Sequence, residues 1–444
     1  MHTYAKYKPY PTVKLDKREW ADKTAAKAPV WVSTDLRDGN QALANPMGIE
    51  QKTAYFKALV EFGFKEIEIA YPSASQTEFD FCRKLIEEGL IPDDVTIGVL
   101  TPSIERHIVR SFEALKGAKH INMHLYNPTA SNQREVVFKR SEEAIIALAL
   151  EGVECIKKEA VKFDGKVVFE YSPESFSQTE LSFALEVSNA VIEAYDPTDE
   201  NPMILNLPNT LEACSANIYA DRIEWMCKHI KNRENVVISV HPHNDRGCAV
   251  ASAELAVLAG AQRVEGTILG NGERAGNVDL VTLAFNYYSG GIDPCLHIEK
   301  VDNILKRITS ITGMQVGDRH PYVGSMIYTA FSGTHQDAIK KGMDHHRKEK
   351  NSIWEVPYLA IDPCDIGREY KDSIRINSQS GKGGVAYVLK EVYGIDIPQN
   401  IQARLAEEVK SISQKRGSEI SSDEVLGIYE GMIRRNCNIK NIEI

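Results

Sequence analysis

Eight short apolar runs, each followed by a helix-length stretch, restrict the fold of this chain more than any other feature. They are Val30–Leu36, Glu66–Tyr71, Val95–Leu100, His120–Tyr126, Val167–Tyr171, Met203–Leu207, Val236–Val240 and Arg263–Leu269. Their β-branched, nearly continuous apolar character is that of parallel strands covered on both faces. Segments such as Glu50–Phe62, Gln76–Glu88, Glu142–Lys162 and Gly247–Ala259 lie between them and read as helices. Eight β-then-α units in roughly 260 residues are what a (β/α)8 TIM barrel needs, so the expected class is α/β. A doubly wound open sheet would want a Gly-rich turn after its first strand, and this chain has Arg37-Asp-Gly-Asn-Gln41 there.

The barrel is expected over residues 29–290 of 444. Before it, residues 1–28 are polar and Lys-rich, an arm with little structure of its own. After it come an expected linker subdomain, 291–370, and a helical subdomain, 371–444. With 43% hydrophobic and 26% charged residues the composition is that of a globular protein. A net charge of −10 argues against nucleic-acid binding. No apolar run reaches the length of about 18 residues that a membrane span requires. The N-terminus lacks the apolar core of a secretory signal. Eight scattered cysteines without a C-x-x-C pattern then read as reduced thiols of a cytoplasmic protein.

A barrel of this kind carries its chemistry at the C-terminal strand ends. There the chain offers Arg37, Asp38 and Asn40, then His124, Tyr126 and Asn127, then Glu170, Ser172 and Glu174, and then Asn206 to Thr210. The last two strands add His241 and His243, and Gly270 to Asn277. The opposite ends are expected to carry nothing comparable. His241 and His243, two apart on an extended segment, point to one face. Strand eight pairs with strand one in a closed barrel, so Asp38, His241, His243 and Asn277 can converge. Two imidazoles, a carboxylate and an amide oxygen suit Zn²⁺, Mn²⁺ or Mg²⁺. Asp245 is the expected partner for an imidazole N–H.

An open divalent ion there can chelate a 2-oxo acid and act as a Lewis acid. Arg37 is placed to stabilise an oxyanion, unless it is simply a buried ion pair. Of Glu170 and Glu174, four positions apart, only one is expected to face the substrate, and Glu174 lies further along. His124, Tyr126 and Thr210 could bind a carboxylate or move a proton. The glycines of Gly270-Asn-Gly-Glu-Arg-Ala-Gly-Asn277 suit either close backbone approach to a nucleotide-bearing cosubstrate or a plain turn. Leu100, Asn127 and Ser73 are expected on the rim, with no second cation besides Arg37. That favours a small apolar oxo acid.

Five motifs resemble the 2-isopropylmalate synthase family: Asp35-Leu-Arg-Asp-Gly-Asn-Gln-Ala-Leu43, Phe169-Glu-Tyr-Ser-Pro-Glu174, Asn206-Leu-Pro-Asn-Thr210, His241-Pro-His-Asn-Asp-Arg-Gly247 and Gly270–Asn277. The likeness continues through Tyr328–Ala338, Trp354–Tyr358 and Asn377–Tyr387, covering residues 30 to 430, and is nearest the longer, actinobacterial-type branch. It implies condensation of acetyl-CoA with 2-oxoisovalerate to 2-isopropylmalate and CoA, the first committed step of leucine biosynthesis. It also implies a divalent metal, usually zinc, on Asp38, His241, His243 and Asn277, with a monovalent cation such as K⁺ as a further expected activator. Arg37, Glu174, His335 and Tyr358 take catalytic roles in that reading, with His335 as base. His124, Thr210, Arg37 and Glu174 contact the oxo acid, and Gly270, Asn271, Gly272, Glu273 and Arg274 the cosubstrate. His335 and Tyr358 would come from the partner in a homodimer with shared active sites.

Members of that branch continue into a C-terminal leucine-binding regulatory domain, which this sequence does not reach, so loss of feedback inhibition is expected. Citramalate or homocitrate synthases with the same machinery are the near alternatives. A metal-dependent carbon–carbon lyase on the same barrel, or a catalytically silent interaction protein, are the distant ones. Asp344–Lys350, with His345 and His346, reads as a solvated segment, and Ser380-Gly-Lys-Gly-Gly384 lacks the spacing of a nucleotide-triphosphate loop.

Overall fold

A computed structural model describes residues 3–330, 332–349, 353–368, 376–377 and 380–440. Among these, eight parallel strands close into one barrel in sequence order. They are β1 (Val30–Ser33), β2 (Glu66–Ala70), β3 (Thr96–Pro102), β4 (His120–Pro128), β5 (Lys166–Glu174), β6 (Met203–Asn206), β7 (Val236–Val240) and β8 (Arg263–Gly266). Closure is made by β1 on β8, with Val30 opposite Arg263 and Ser33 opposite Gly266. The surrounding helices are α1 (Ile49–Phe62), α2 (Gln76–Glu87), α3 (Glu105–Leu115), α4 (Glu142–Ala160), α5 (Leu181–Tyr195), α6 (Ala216–His229), α7 (Ala249–Leu258) and α8 (Leu280–Ser289). Their starts follow local chemistry: Ser75, Ser141 and Asp279 each cap an orphan backbone N–H, of Glu78, Ala144 and Val281.

Several strand limits differ from the apolar runs. Strand β1 stops at Ser33, and Asp35–Gly39 forms a π-helical turn in which Asp38 N and Gly39 N both donate to the Thr34 carbonyl. Strand β8 likewise stops at Gly266. Strands β4 and β5 run longer than expected, to Pro128 and Glu174, because each keeps the other paired up to Pro128 opposite Glu174. Strand β7 ends at Val240, and the following segment stays paired through an isolated parallel bridge of Pro242 to Asn209.

The N-terminal arm forms short helical turns at Thr3–Lys6 and Trp20–Asp22 and is fastened to α6. Arg18 pairs through two nitrogens with Asp221, and the backbone N–H groups of Glu19 and Trp20 donate to Glu224. The chain divides into two compact units, residues 1–297 with 304–315, and residues 298–303 with 316–444. The second unit contains α10 (Gly333–Lys348), α11 (Lys382–Tyr393), α12 (Gln399–Arg416) and α13 (Ser422–Lys440); α9 (Val301–Thr312) precedes them. It has its own apolar core, in which Val385, Leu389, Leu405, Val409 and Val425 from α11–α13 are fully buried. The described cysteines are all free, and the side chain of Cys437 lies outside the described residues. No described helix is long and apolar enough to cross a membrane.

Candidate active site

The His241-Pro-His243 segment is held on both sides by backbone. Asn209 N donates to the His241 carbonyl and His243 N to that of Asn209, while Val278 N donates to Pro242 and Asn244 N to Gly276. The segment thus lies between the loop after β6 and the loop after β8, and both imidazoles turn into the barrel mouth. Asp38 faces them from the π-turn after β1. One of its carboxylate oxygens lies 3.4 Å from His241 Nε2, 3.9 Å from His243 Nε2 and 2.7 Å from Asn277 Nδ2. The ligand atoms of Asp38, His241 and His243 all lie within 4.8 Å of one another, and the three residues are buried.

This donor set fits a divalent ion on its own chemistry. The Oδ1 of Asn277 and the Nδ1 of His243 are buried without a hydrogen-bond partner, a costly state unless something else satisfies them. The electrostatics agree. Burial opposes charge on Asp38, but Arg37 and the two imidazoles outweigh it and hold the carboxyl far below its usual range. Burial also disfavours charge on His241, yet its bonds to Asp38 and Glu265 carry it up to about 9. Burial and then His241 push His243 down to about 4. The carboxylates of Asp38 and Glu265 thus favour positive charge at this point.

The expected partner of an imidazole N–H, Asp245, is elsewhere engaged: it accepts from Arg274 Nε at 2.7 Å and from the backbone of Glu212. Glu265 takes that role instead, with Oε2 2.9 Å from His241 Nδ1. The middle of the barrel is a buried ionic network, where barrels of this kind commonly hold layers of branched aliphatic side chains. Arg263 reaches Glu66, Glu170 and Glu265; His124 lies between Glu68 and Ser172 at 2.7 Å each; Asn122 donates to Glu170. Burial and the neighbouring Glu265 raise the Glu170 carboxyl, while Arg263 holds Glu265 low. Among the described residues one other group, His124, Glu170 and Glu265, could hold an ion, but the Arg263 guanidinium already bonds Glu170 and Glu265 there. Glu68, Arg263 and Glu265 were missed, although Glu66-Ile-Glu-Ile and Arg263-Val-Glu carry charges at a period of two inside apolar strands.

Above this network lies a cavity of about 340 Å³ lined by Arg37, Asp38, Gln41, Tyr71, Leu100, His124, Tyr126, Ser172, Glu174, Asn206, Pro208, Thr210, His241, His243, Glu273 and Arg274. Arg37 is a buried ion pair, its Nη1 2.7 Å from Asp38 and its Nε bonded to Glu68, and it also lines the cavity. Glu170 and Glu174 share one face of β5, since the strand period is two. Depth, and not direction, separates them: Glu170 is beneath the floor and Glu174 is at the wall. Burial raises the Glu174 carboxyl against the pull of Arg37. Thr210 Oγ1 accepts from Ser175 N at 3.0 Å and ties the loops after β5 and β6 together.

Asn127 is buried against Tyr171 and does not line the cavity, nor does Ser73; Tyr71 and Tyr126 stand with Leu100 instead. A second cation, Arg274, is present after all, but Asp245 holds it through two nitrogens. In the Gly-rich loop only Glu273 and Arg274 reach the cavity. Asn271 Nδ2 donates to the Gly39 carbonyl at 2.9 Å. Gly276 has φ +93°, and a side chain there would strike the Gly270 carbonyl; one on Gly272 would meet Asn277. The glycines let the loop fold on itself to deliver Asn277. His335 and Tyr358 belong to the second unit, where their rings stack with centroids 3.9 Å apart, and Tyr358 has φ +66°.

Residues 28–308 match the HMGL-like family, and residues 325–390 match the alpha-isopropylmalate synthase post-catalytic domain. The 2-isopropylmalate synthase of Agrobacterium fabrum is 53% identical over 99% of this chain and 78% of its own length. That of Clostridium acetobutylicum is 52% identical over 99% of this chain and 80% of its own. Among solved structures, the hydroxymethylglutaryl-CoA lyase of Pseudomonas aeruginosa aligns with 66% of this chain and 96% of its own, with a TM-score of 0.54 and 17% identity, a likeness of fold alone. By the identity and extent of the first two matches, this chain belongs to the 2-isopropylmalate synthase family.

Proposed function

We propose that the cavity over Asp38, His241, His243 and Asn277 is where this chain condenses acetyl-CoA with 2-oxoisovalerate to 2-isopropylmalate and CoA. The family is divalent-metal dependent, and we take Zn²⁺ as the native ion, with Mg²⁺ or Mn²⁺ as substitutes, because two imidazoles are among the donors. A divalent ion on those four residues supplies Lewis-acid polarisation of the oxo acid's carbonyl.

The chain's own groups do the rest. Two nitrogens of Arg37 are occupied by Asp38 and Glu68, which leaves Nη2 for the alkoxide that develops on C2 of the oxo acid. Glu174, His124 and Thr210 orient the oxo acid's carboxylate, and Leu100, Tyr71 and Tyr126 enclose its isopropyl group. Glu273 and Arg274 flank the approach of acetyl-CoA. A base, assigned to His335 beside Tyr358 of a second copy in a homodimer, removes a proton from the acetyl methyl. The resulting carbanion forms a carbon–carbon bond to C2 and the alkoxide takes a proton. Water then cleaves the thioester and releases CoA. A positioned base contributes on the order of 10²–10⁴-fold, so the metal and Arg37 must carry much of the remainder.

The convergence of Asp38, His241, His243 and Asn277 beside Arg37 supports this reading most. The test is thiol release from acetyl-CoA across a panel of 2-oxo acids, with and without chelator. Preference for 2-oxoisovalerate, lost on chelation and restored by a divalent ion, is expected. A preference for pyruvate or 2-oxoglutarate would overturn the substrate assignment.

A further inference from the structure

Asp35 is buried three residues before Asp38 and has no part in the site described above. Its carboxylate accepts from Tyr55 Oη of α1 at 2.6 Å and from Ser33 Oγ of β1 at 2.7 Å. Both of its oxygens also receive the backbone N–H of Ile268, at 3.0 and 3.2 Å. Among the described residues no cation pairs with it. A buried, unpaired carboxylate is costly where an apolar side chain would pack freely, so its retention needs a reason.

The reason lies in what it joins. Ile268 begins the turn that leads from β8 through Asn271, Glu273 and Arg274 to Asn277, while Asp35 begins the π-turn that presents Arg37 and Asp38. Leu269, next to Ile268, has φ +60°. A non-glycine residue holds that conformation only where its surroundings over-determine it. The turns are fastened elsewhere as well, since Thr34 N donates to the Gly266 carbonyl at 2.8 Å and Asn271 to Gly39. Asp35 is the one bond among these that grips the strained turn itself.

We propose that Asp35 is a positioning residue for the metal site: its carboxylate clamps the Ile268–Gly270 turn to the Asp35–Gly39 turn and so fixes Asn277 against Asp38. The proposal rests on the metal reading of Asp38, His241, His243 and Asn277. Hydrogen-bond chemistry says what can replace the clamp. In Asp35→Asn the amide oxygen still accepts from Ile268 N, and the NH₂ group turns to Ser33 Oγ. In Asp35→Ala nothing accepts from Ile268.

The test is titration of the metal-stripped full chain with Co²⁺, reading the visible absorption of the bound ion and its competition with a chromophoric chelator. D35A is expected to keep its far-ultraviolet circular dichroism while losing about tenfold or more in Co²⁺ affinity, with an altered spectrum. D35N is expected to stay within about threefold of wild type, since its acceptor remains. D35A with wild-type affinity and spectrum would overturn the proposal. So would D35N as weak as D35A, because charge and not the bridge would then be the agent. Should D35A not fold, D35L, which fills the space without an acceptor, is read in its place. If neither folds, the role belongs to folding and the proposal falls. A wild-type chain that binds no Co²⁺ would bring down the metal reading itself, and this one with it.

Discussion

Asn277 Nδ2 donates to Asp38 Oδ2 across 2.7 Å, although 239 positions separate the two residues. Barrel closure makes the contact, because β8 pairs with β1 in register. If both are ligands, losing either removes one of four donors from a small ion. Asp38→Ala is expected to abolish thiol release, and Asn277→Ala to weaken Zn²⁺ binding by about tenfold or more, both with an intact far-ultraviolet spectrum. Metal content after dialysis, measured beside activity, checks this; full activity in metal-free D38A would refute it.

Metal binding should be coupled to protons with a definite sign. His241, raised to about 9 by Asp38 and Glu265 against the opposing effect of burial, must lose its proton to ligate. Below that value proton and metal compete, so affinity is expected to rise with pH, by up to about tenfold per pH unit, and to level off near pH 9. His243, held near 4, adds no further dependence above neutrality. Calorimetry in buffers of different ionisation enthalpy should find about one proton released per ion near pH 7. A pH-independent affinity between 6 and 9 would remove His241 from the ligand set.

Glu265 binds His241 on one side and Arg263 on the other. Glu265→Gln keeps an acceptor for His241 but loses the charge, and a fall of about 10–100-fold in metal affinity is expected. Glu265→Leu should also cost about 3–5 kcal/mol of stability, because Arg263 stays buried with one carboxylate fewer. Urea unfolding of the two variants separates the effects.

Gly276→Ala should inactivate with little loss of fold. A methyl group there strikes the Gly270 carbonyl and must be built at φ +93°, which opens the loop that delivers Asn277 but touches no strand. The expected result is lost turnover and weakened metal binding with an almost unchanged unfolding midpoint. A parallel fall in midpoint and activity would show that the loop supports the barrel as a whole.

The sequence by itself determined the eight strands, their order and the shared face of His241 and His243, because side-chain periodicity is a local property of the backbone. It also named Asp38 and Asn277 as neighbours once closure was assumed, since strand order alone brings the ends of β1 and β8 together. Only the tertiary structure decided which inward side chains occupy one layer. That depends on strand tilt and register around the whole barrel, so Glu68, Arg263 and Glu265 stayed hidden within strands that read as apolar, and Asp245 was credited with the bond Glu265 makes. The limits of β1 and β5 were decided the same way: a backbone turn onto Thr34 ended the one, and pairing with β4 extended the other. Asp35 shows the division most clearly. The sequence places it near the end of the first strand, and only the tertiary structure brings the backbone N–H of Ile268, 233 positions away, onto its buried carboxylate beside Tyr55 and Ser33.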